Sequence, residues 1–164
     1  MRRTLTIAAV LVASLVSAAG KAPVRADRIV ILKAKRELTL YLDNAPVKTY
    51  KIALGRSPVG AKQCAGDSRT PEGTYRIDSR NPNSHYHRAL HVSYPNAADI
   101  ARAEKIGCKP GGDIMIHGIT NGFGWLGAAH RKVDWTIGCI AVTDEEIEEI
   151  WAAIPNGTAV EIRP

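Results

Sequence analysis

Cys139 sits in the run Thr136-Ile137-Gly138-Cys139-Ile140, and His117 opens the dipeptide His117-Gly118 at the end of an apolar run. A cysteine and a histidine far apart in sequence are what a thiol nucleophile and its general base require. A small buried cysteine and a structural histidine at a strand end would spell the same two letters, so the pairing alone does not establish catalysis. Gly138 adds weight. Directly before the cysteine it permits a tight backbone and bares neighbouring N–H groups, which an oxyanion hole for a tetrahedral acyl intermediate needs. The backbone N–H groups of Gly138 and Cys139 are the candidate donors, and together these residues fit acyl transfer.

Other reactive side chains compete for the same roles. His130, nine residues before Cys139, offers a second base, although a loop histidine has plainer uses. His85, His87 and His91 crowd together, and the first two would share a face on a strand. No acid or cysteine completes a familiar zinc spacing around them, so neither a metal nor another cofactor is expected. Cys64, Cys108 and Cys139 form no Cys-x-x-Cys pair, which removes the usual signature of a disulfide-handling protein.

A scaffold must hold these groups, and its elements are legible. Residues 28–33, 38–42 and 47–54 are rich in Val, Ile, Leu and Tyr, with Asp43-Asn44 as turn chemistry, which predicts an N-terminal antiparallel meander. Residues 55–73 carry four glycines, two prolines and several charges and read as a long surface loop, of a length that is usually functional or mobile in compact domains. Strands resume at 74–79 and 89–94, and a helix over 97–106 ends at Gly107, a good C-cap. Residues 114–117 form an apolar strand opening onto a Gly-rich loop over 118–127, and residues 136–142 form another strand. Thr143-Asp144-Glu145-Glu146 is a capping box with acids where the helix dipole favours them, and Ile147, Ile150, Trp151 and Ile154 then mark one apolar helical face. Pro155-Asn156-Gly157 is a turn before a closing strand over 158–162. The pattern is one mainly β domain, residues 28–163, with short helices.

Arg2 and Arg3 precede an apolar run over 5–16 and then Ser17, Ala18, Ala19 and Gly20, the order of a secretory signal peptide. Residues 1–19 are therefore read as a signal that is removed, or as an N-terminal anchor, because the uncharged stretch over 4–20 just reaches bilayer-spanning length. Either way the domain is exported, to a periplasm or cell wall, and any membrane contact runs through that segment. The 164 residues, 45% hydrophobic and 23% charged, suit a single domain and exclude collagen-like, low-complexity and disordered classes. Net charge is +6, or +4 without Arg2 and Arg3, and the basic residues are interspersed with acids, which disfavours nucleic acid as a partner. Export exposes thiols to an oxidising compartment, where three cysteines leave one odd. The expected pair is Cys64 with Cys108, both in glycine-bearing loops, leaving Cys139 for chemistry; two separate reduced thiols are the alternative.

Ile116-His117-Gly118, the Gly-rich loop and Asp134-Trp135-Thr136-Ile137-Gly138-Cys139-Ile140 resemble the catalytic signature of the L,D-transpeptidases of the YkuD type. The resemblance extends through Gly66-Asp67, Thr70-Pro71-Glu72-Gly73-Thr74-Tyr75 and residues 90–95 to the closing helix and strand, most of the chain. It implies a YkuD-like β-sandwich or open barrel with short helices, and a cysteine-dependent peptidoglycan transpeptidase. Cys139 would attack the carbonyl after the third residue of a stem peptide, His117 would act as base and proton donor, and the Gly118 carbonyl would orient the imidazole. An amine of another stem peptide, or of a lipoprotein side chain, would take the acyl group; water instead would make a carboxypeptidase or amidase. Two positions depart from the family pattern. Ile137 stands where a histidine is frequent, leaving His117 as the motif's base, and Ala141 stands where an arginine is frequent, removing a cation that could hold a substrate carboxylate. Arg69, Arg88 and Arg131 are candidate replacements, with Thr136 as a further substrate contact, although each arginine also reads as a solvated surface charge. Asp134 could support the loop. A noncatalytic wall-binding module of the same fold is the competing reading.

Overall fold

The computed structural model describes residues 24–164, so the leader expected over 1–19 lies outside the described residues. Apolar alternation builds the first hairpins: β1 (Arg28–Leu32), β2 (Glu37–Leu42) and β3 (Ala45–Lys51) pair antiparallel in sequence order. Leu38 and Leu40 bury one face of β2 completely, while the alternating Thr39 and Tyr41 stay partly exposed. Asp43 and Asn44 take φ of 50° and 65°, the left-handed values that a two-residue hairpin turn requires.

Five further strands, β4 (Gly73–Ser84), β5 (His87–Val92), β6 (Met115–His117), β7 (Ile140–Ala141) and β8 (Ala159–Arg163), complete an eight-stranded sheet. Its order is β3-β2-β1-β8-β4-β5-β6-β7, with β8 parallel to β1 and antiparallel to β4. Beyond β3 the chain reaches the opposite edge, where Ala53 bridges to Ala141 and Gly55 to Thr136. The sheet therefore curls until its ends meet, the mainly β, barrel-like architecture that the sequence implies. Ile29, Ile31, Leu38, Leu40, Ile77, Leu90, Ile116, Ile140 and Val160 fill the interior.

Two helices cover this core or its flank. In α2 (Asp144–Ala153) the Thr143 hydroxyl accepts the Glu146 N–H at 3.2 Å and the Glu146 carboxylate accepts the Thr143 N–H at 2.9 Å. Ile147 and Ile150 then lie fully buried, worth about 1.5–3 kcal/mol each. α1 (Ala97–Ile106) opens on an Asn96–Asp99 capping box and ends at Gly107, whose φ is 81°.

Three stretches differ from the sequence reading. The strand expected over 136–142 contracts to β7, because the Thr136 hydroxyl donates to the Cys139 carbonyl at 2.8 Å and accepts the Gly138 N–H at 3.1 Å, a local turn in place of ladder bonds. β4 runs on to Ser84, with a register shift between Asn81 and Ser84 around Pro82, which has no N–H to donate. The Gly-rich loop leads into a 3-10 segment (Gly124–Lys132) kinked at Gly127, whose φ of 45° and ψ of -134° are non-helical. The long loop after β3 is pinned by Lys33, only 2% exposed, which donates to the Gly60 and Thr70 carbonyls at 2.6 and 2.9 Å and to the Glu72 carboxylate at 2.8 Å.

Candidate active site

β6 and β7 run parallel with Ile116 opposite Ile140, both fully buried. Strand alternation turns His117 to the other face, and Cys139, one residue before Ile140, to that face as well. The two residues line one groove of about 600 Å³, together with Arg56, Lys62, Tyr86 and Trp135. Close backbone packing holds the Cys139 loop in place. Gly138 holds φ at 133°, and a Cβ there would stand 2.8 Å from the Arg69 carbonyl oxygen. A Cβ at Gly55 would meet the Ser68 carbonyl oxygen at 2.1 Å and the Gly138 backbone at 3.0 Å.

His117 is 3% exposed, and its Nδ1 lies 2.7 Å from the Gly118 carbonyl oxygen. A carbonyl only accepts, so Nδ1 carries the proton and Nε2 keeps its lone pair. Tyr86 stacks on the imidazole at 4.5 Å between centroids and Trp135 meets it edge-on at 5.7 Å. Burial pushes the imidazole down to about 4, against the opposing pull of the Gly118 carbonyl. Burial, seconded by Asp113, pushes the Cys139 thiol up, while the Met115 N–H and the Lys62 ammonium work against it. Sγ donates to the Asp113 carbonyl oxygen at 3.4 Å. At neutral pH the resting groups are therefore an imidazole and a thiol.

Several expected roles need correction. The Gly138 N–H cannot serve an oxyanion, because the Thr136 hydroxyl already takes it at 3.1 Å. The Cys139 N–H has no hydrogen-bond partner among the described residues. Thr136 lines the groove but is 5% exposed, and its hydroxyl, committed on both sides, braces the loop that carries Cys139. Arg131 pairs with Glu146 on α2, and Arg88 pairs with Glu148 at 2.9 Å, both outside the groove. Arg69 also lies off the groove, its guanidinium directed toward Gly60. His130 is buried behind Trp135, whose indole N–H donates to its Nδ1 at 3.2 Å, and it does not line the groove. His87 pairs with Glu148 at 2.7 Å and His91 with Asp78 at 2.6 Å, so the histidine cluster does not converge. Among the described residues no group of His, Cys, Asp and Glu is arranged to hold a metal.

The walls are tied by groups near both residues. Asp134 accepts the Leu54 N–H at 2.9 Å and pairs with Arg36 at 2.8 Å, supporting the loop before Cys139. Cys64 and Cys108 are joined, with Cα atoms 5.8 Å apart, and Cys139 is the free cysteine. Their bridge fastens the segment bearing Lys62 to the one leading into β6. Asp67 collects the Lys62 ammonium at 2.7 Å and the N–H groups of Gln63, Cys64 and Arg69, which hold its carboxyl down to about 2 in spite of burial. Arg56, Lys62, Tyr86 and Asp113 are groove residues that sequence reasoning missed; Lys62 alone, a lysine between glycines in a long loop, left a faint signal.

This curled sheet, with His117 on β6 and Cys139 directly before the parallel strand β7 in one groove, has the architecture of a YkuD-type domain. Residues 26–162 match the L,D-transpeptidase catalytic domain of YkuD type, and the chain belongs to that family. It is 32% identical over 129 residues to YafK of Escherichia coli (strain K12), which is named for the L,D-transpeptidases, across 75% of this chain and 45% of YafK. It is 29% identical over 145 residues to the similarly named YqjB of Bacillus subtilis (strain 168), across 86% of this chain and 74% of YqjB. The helical cell shape determining protein Pgp2 of Campylobacter jejuni superposes with a TM-score of 0.61 at 25% identity, over 82% of this chain and 46% of Pgp2. The chain thus spans about half the length of YafK and of Pgp2.

Proposed function

We propose that this domain is a peptidoglycan L,D-transpeptidase of the periplasm or cell wall, working through an acyl-enzyme on Cys139. The observation that carries the reading is the Nδ1-to-Gly118 bond, which leaves Nε2 of His117 as a proton acceptor in the groove of the unpaired thiol. The Cys139 proton passes to Nε2 as sulfur bonds to the carbonyl carbon after the third stem residue. The oxyanion is met by the Cys139 N–H, a contribution of about 3 kcal/mol for one such donor. As the tetrahedral adduct collapses, His117 gives the proton to the departing D-alanine nitrogen, and a thioester remains. An acceptor amine, from a second stem peptide or a lipoprotein side chain, then loses a proton to His117 while displacing the thiol, which recovers that proton.

Mass spectrometry of products from defined tetrapeptide muropeptides tests this. A crosslinked product lighter by one D-alanine is expected. Trimmed tripeptide alone would make the domain a carboxypeptidase with the same nucleophile, and binding without D-alanine release would make it a wall-binding module.

A further inference from the structure

We propose that Arg56 holds the C-terminal carboxylate of the donor peptide and so determines specificity for that end, an inference that rests on the acyl-transfer reading above. Ala141 is uncharged, and the other cations near the groove are spent. Arg131 and Arg88 are paired with Glu146 and Glu148, and Arg69 turns away. Lys62 does line the groove, but its side chain is 4% exposed and its ammonium is bonded to Asp67 at 2.7 Å and to the Cys64 carbonyl at 3.1 Å. Arg56 lines the groove, is exposed, and has no ion pair or side-chain hydrogen bond among the described residues.

Its backbone, by contrast, is fixed to the nucleophile loop. The Arg56 N–H donates to the Thr136 carbonyl at 3.0 Å, and Gly55 before it presses on Gly138. A side chain uncommitted at its tip and anchored at its root beside Cys139 is well placed for a group near the scissile bond. In a stem tetrapeptide the terminal carboxylate lies one residue beyond the scissile carbonyl. A planar guanidinium meets a carboxylate with two parallel hydrogen bonds, a geometry that neither an amide nor a distant ammonium reproduces. Asp113 is the acidic side chain lining the groove, and among the described residues it forms no ion pair with Arg56, so the cation is not neutralised from within.

The test uses the full chain and two stem tetrapeptides that differ only in ending as D-alanine carboxylate or D-alanine carboxamide. Two quantities are read: kcat/KM for release of the terminal residue, and affinity by calorimetry in a Cys139→Ala background. The wild type should favour the carboxylate peptide by about tenfold or more, the scale of one charge-assisted bidentate pair. Arg56→Gln should lose that factor on the carboxylate peptide only, bringing the ratio near one, and Arg56→Lys should retain part of it. A ratio that survives Arg56→Gln, or an equal loss on both peptides, overturns the assignment. If the wild type releases nothing while the affinity ratio still depends on Arg56, acyl transfer fails and the carboxylate site stands. If turnover proceeds with a ratio indifferent to Arg56, the reverse holds.

Discussion

The two ends of the sheet are held by different physics. Around β1, β2 and β8, ladders of five paired residues run beside one another, and Ile29, Ile31, Leu38, Leu40 and Val160 are fully buried. At the reactive end β6 and β7 are only three and two residues long. Order there comes from single side chains gripping backbone: Thr136 on both sides of Cys139, Asp134 on Leu54, Asp144 on the Ile119 N–H at 2.8 Å. A ladder is redundant, since its neighbours survive the loss of one bond, whereas each of these polar clamps fixes one atom beside the groove. Stability and reactivity are therefore stored in separate places, and substitutions should pull them apart.

The widest separation is expected at Cys139. Cys139→Ala should abolish acyl-enzyme formation, read by intact-protein mass spectrometry with a stem peptide, while thermal unfolding stays close to wild type. An adduct on the variant breaks the contrast at its root. Next comes the ladder end, where Leu40→Ala should cost about 2–5 kcal/mol in urea unfolding, yet leave turnover per folded molecule unchanged.

His117→Ala should slow acylation about 10²-fold, with partial recovery as rising pH ionises the thiol directly. The same residue links the two ends through pH. Its imidazole titrates near 4 when folded and near 6.5 when unfolded, so the unfolded chain binds the proton first. The stability of a neutral His117 is complete above about 6.5 and is lost as pH falls toward 4, roughly 3 kcal/mol in all. His130, pushed down to about 4 by burial and then by Arg131, adds in the same direction. Melting curves of His117→Gln should show a shallower slope across that window, and an unchanged slope would remove His117 as its source. The smallest effect is expected from Thr136→Val, which frees the Gly138 N–H and the Cys139 carbonyl while keeping the shape. Acylation should drop about tenfold, the worth of roughly one hydrogen bond, and a drop matched by lost stability would blur the division.

Local chemistry made much of this legible in advance. The capping box at Thr143, the αL cap at Gly107 and the Asp43-Asn44 turn each depend on a few adjacent residues, and the structure has all three. Cys139 and His117 stand out by residue type and by the glycine beside each. Arg56 was not legible, because its nearness to Cys139 depends on closure between the sheet's ends through Ala53 and Ala141. Arg131 and Arg88 misled for a similar reason: the carboxylates that occupy them project from α2. The capture of the Gly138 N–H by Thr136 is different. A hydroxyl two residues upstream competing for a backbone donor is a local pattern, and it outranks the general habit of assigning such N–H groups to an oxyanion.

The place of β8 has a consequence for how the molecule comes into being. β1 and β4 share no ladder, and β8 pairs with both through residues 159–163. A chain emerging from its N-terminus therefore first offers two unfinished pieces, the β1–β3 meander and the β4–β5 hairpin, each with an open edge. Such edges are adhesive, and pairings this distant in sequence form slowly. The last strand to emerge joins the two pieces through β1 and β4, while the bridges from Ala53 to Ala141 and from Gly55 to Thr136 join them at the other end of the sheet. Any helper that shields nascent strands would have to act across more than a hundred residues of synthesis, from β1 to β8.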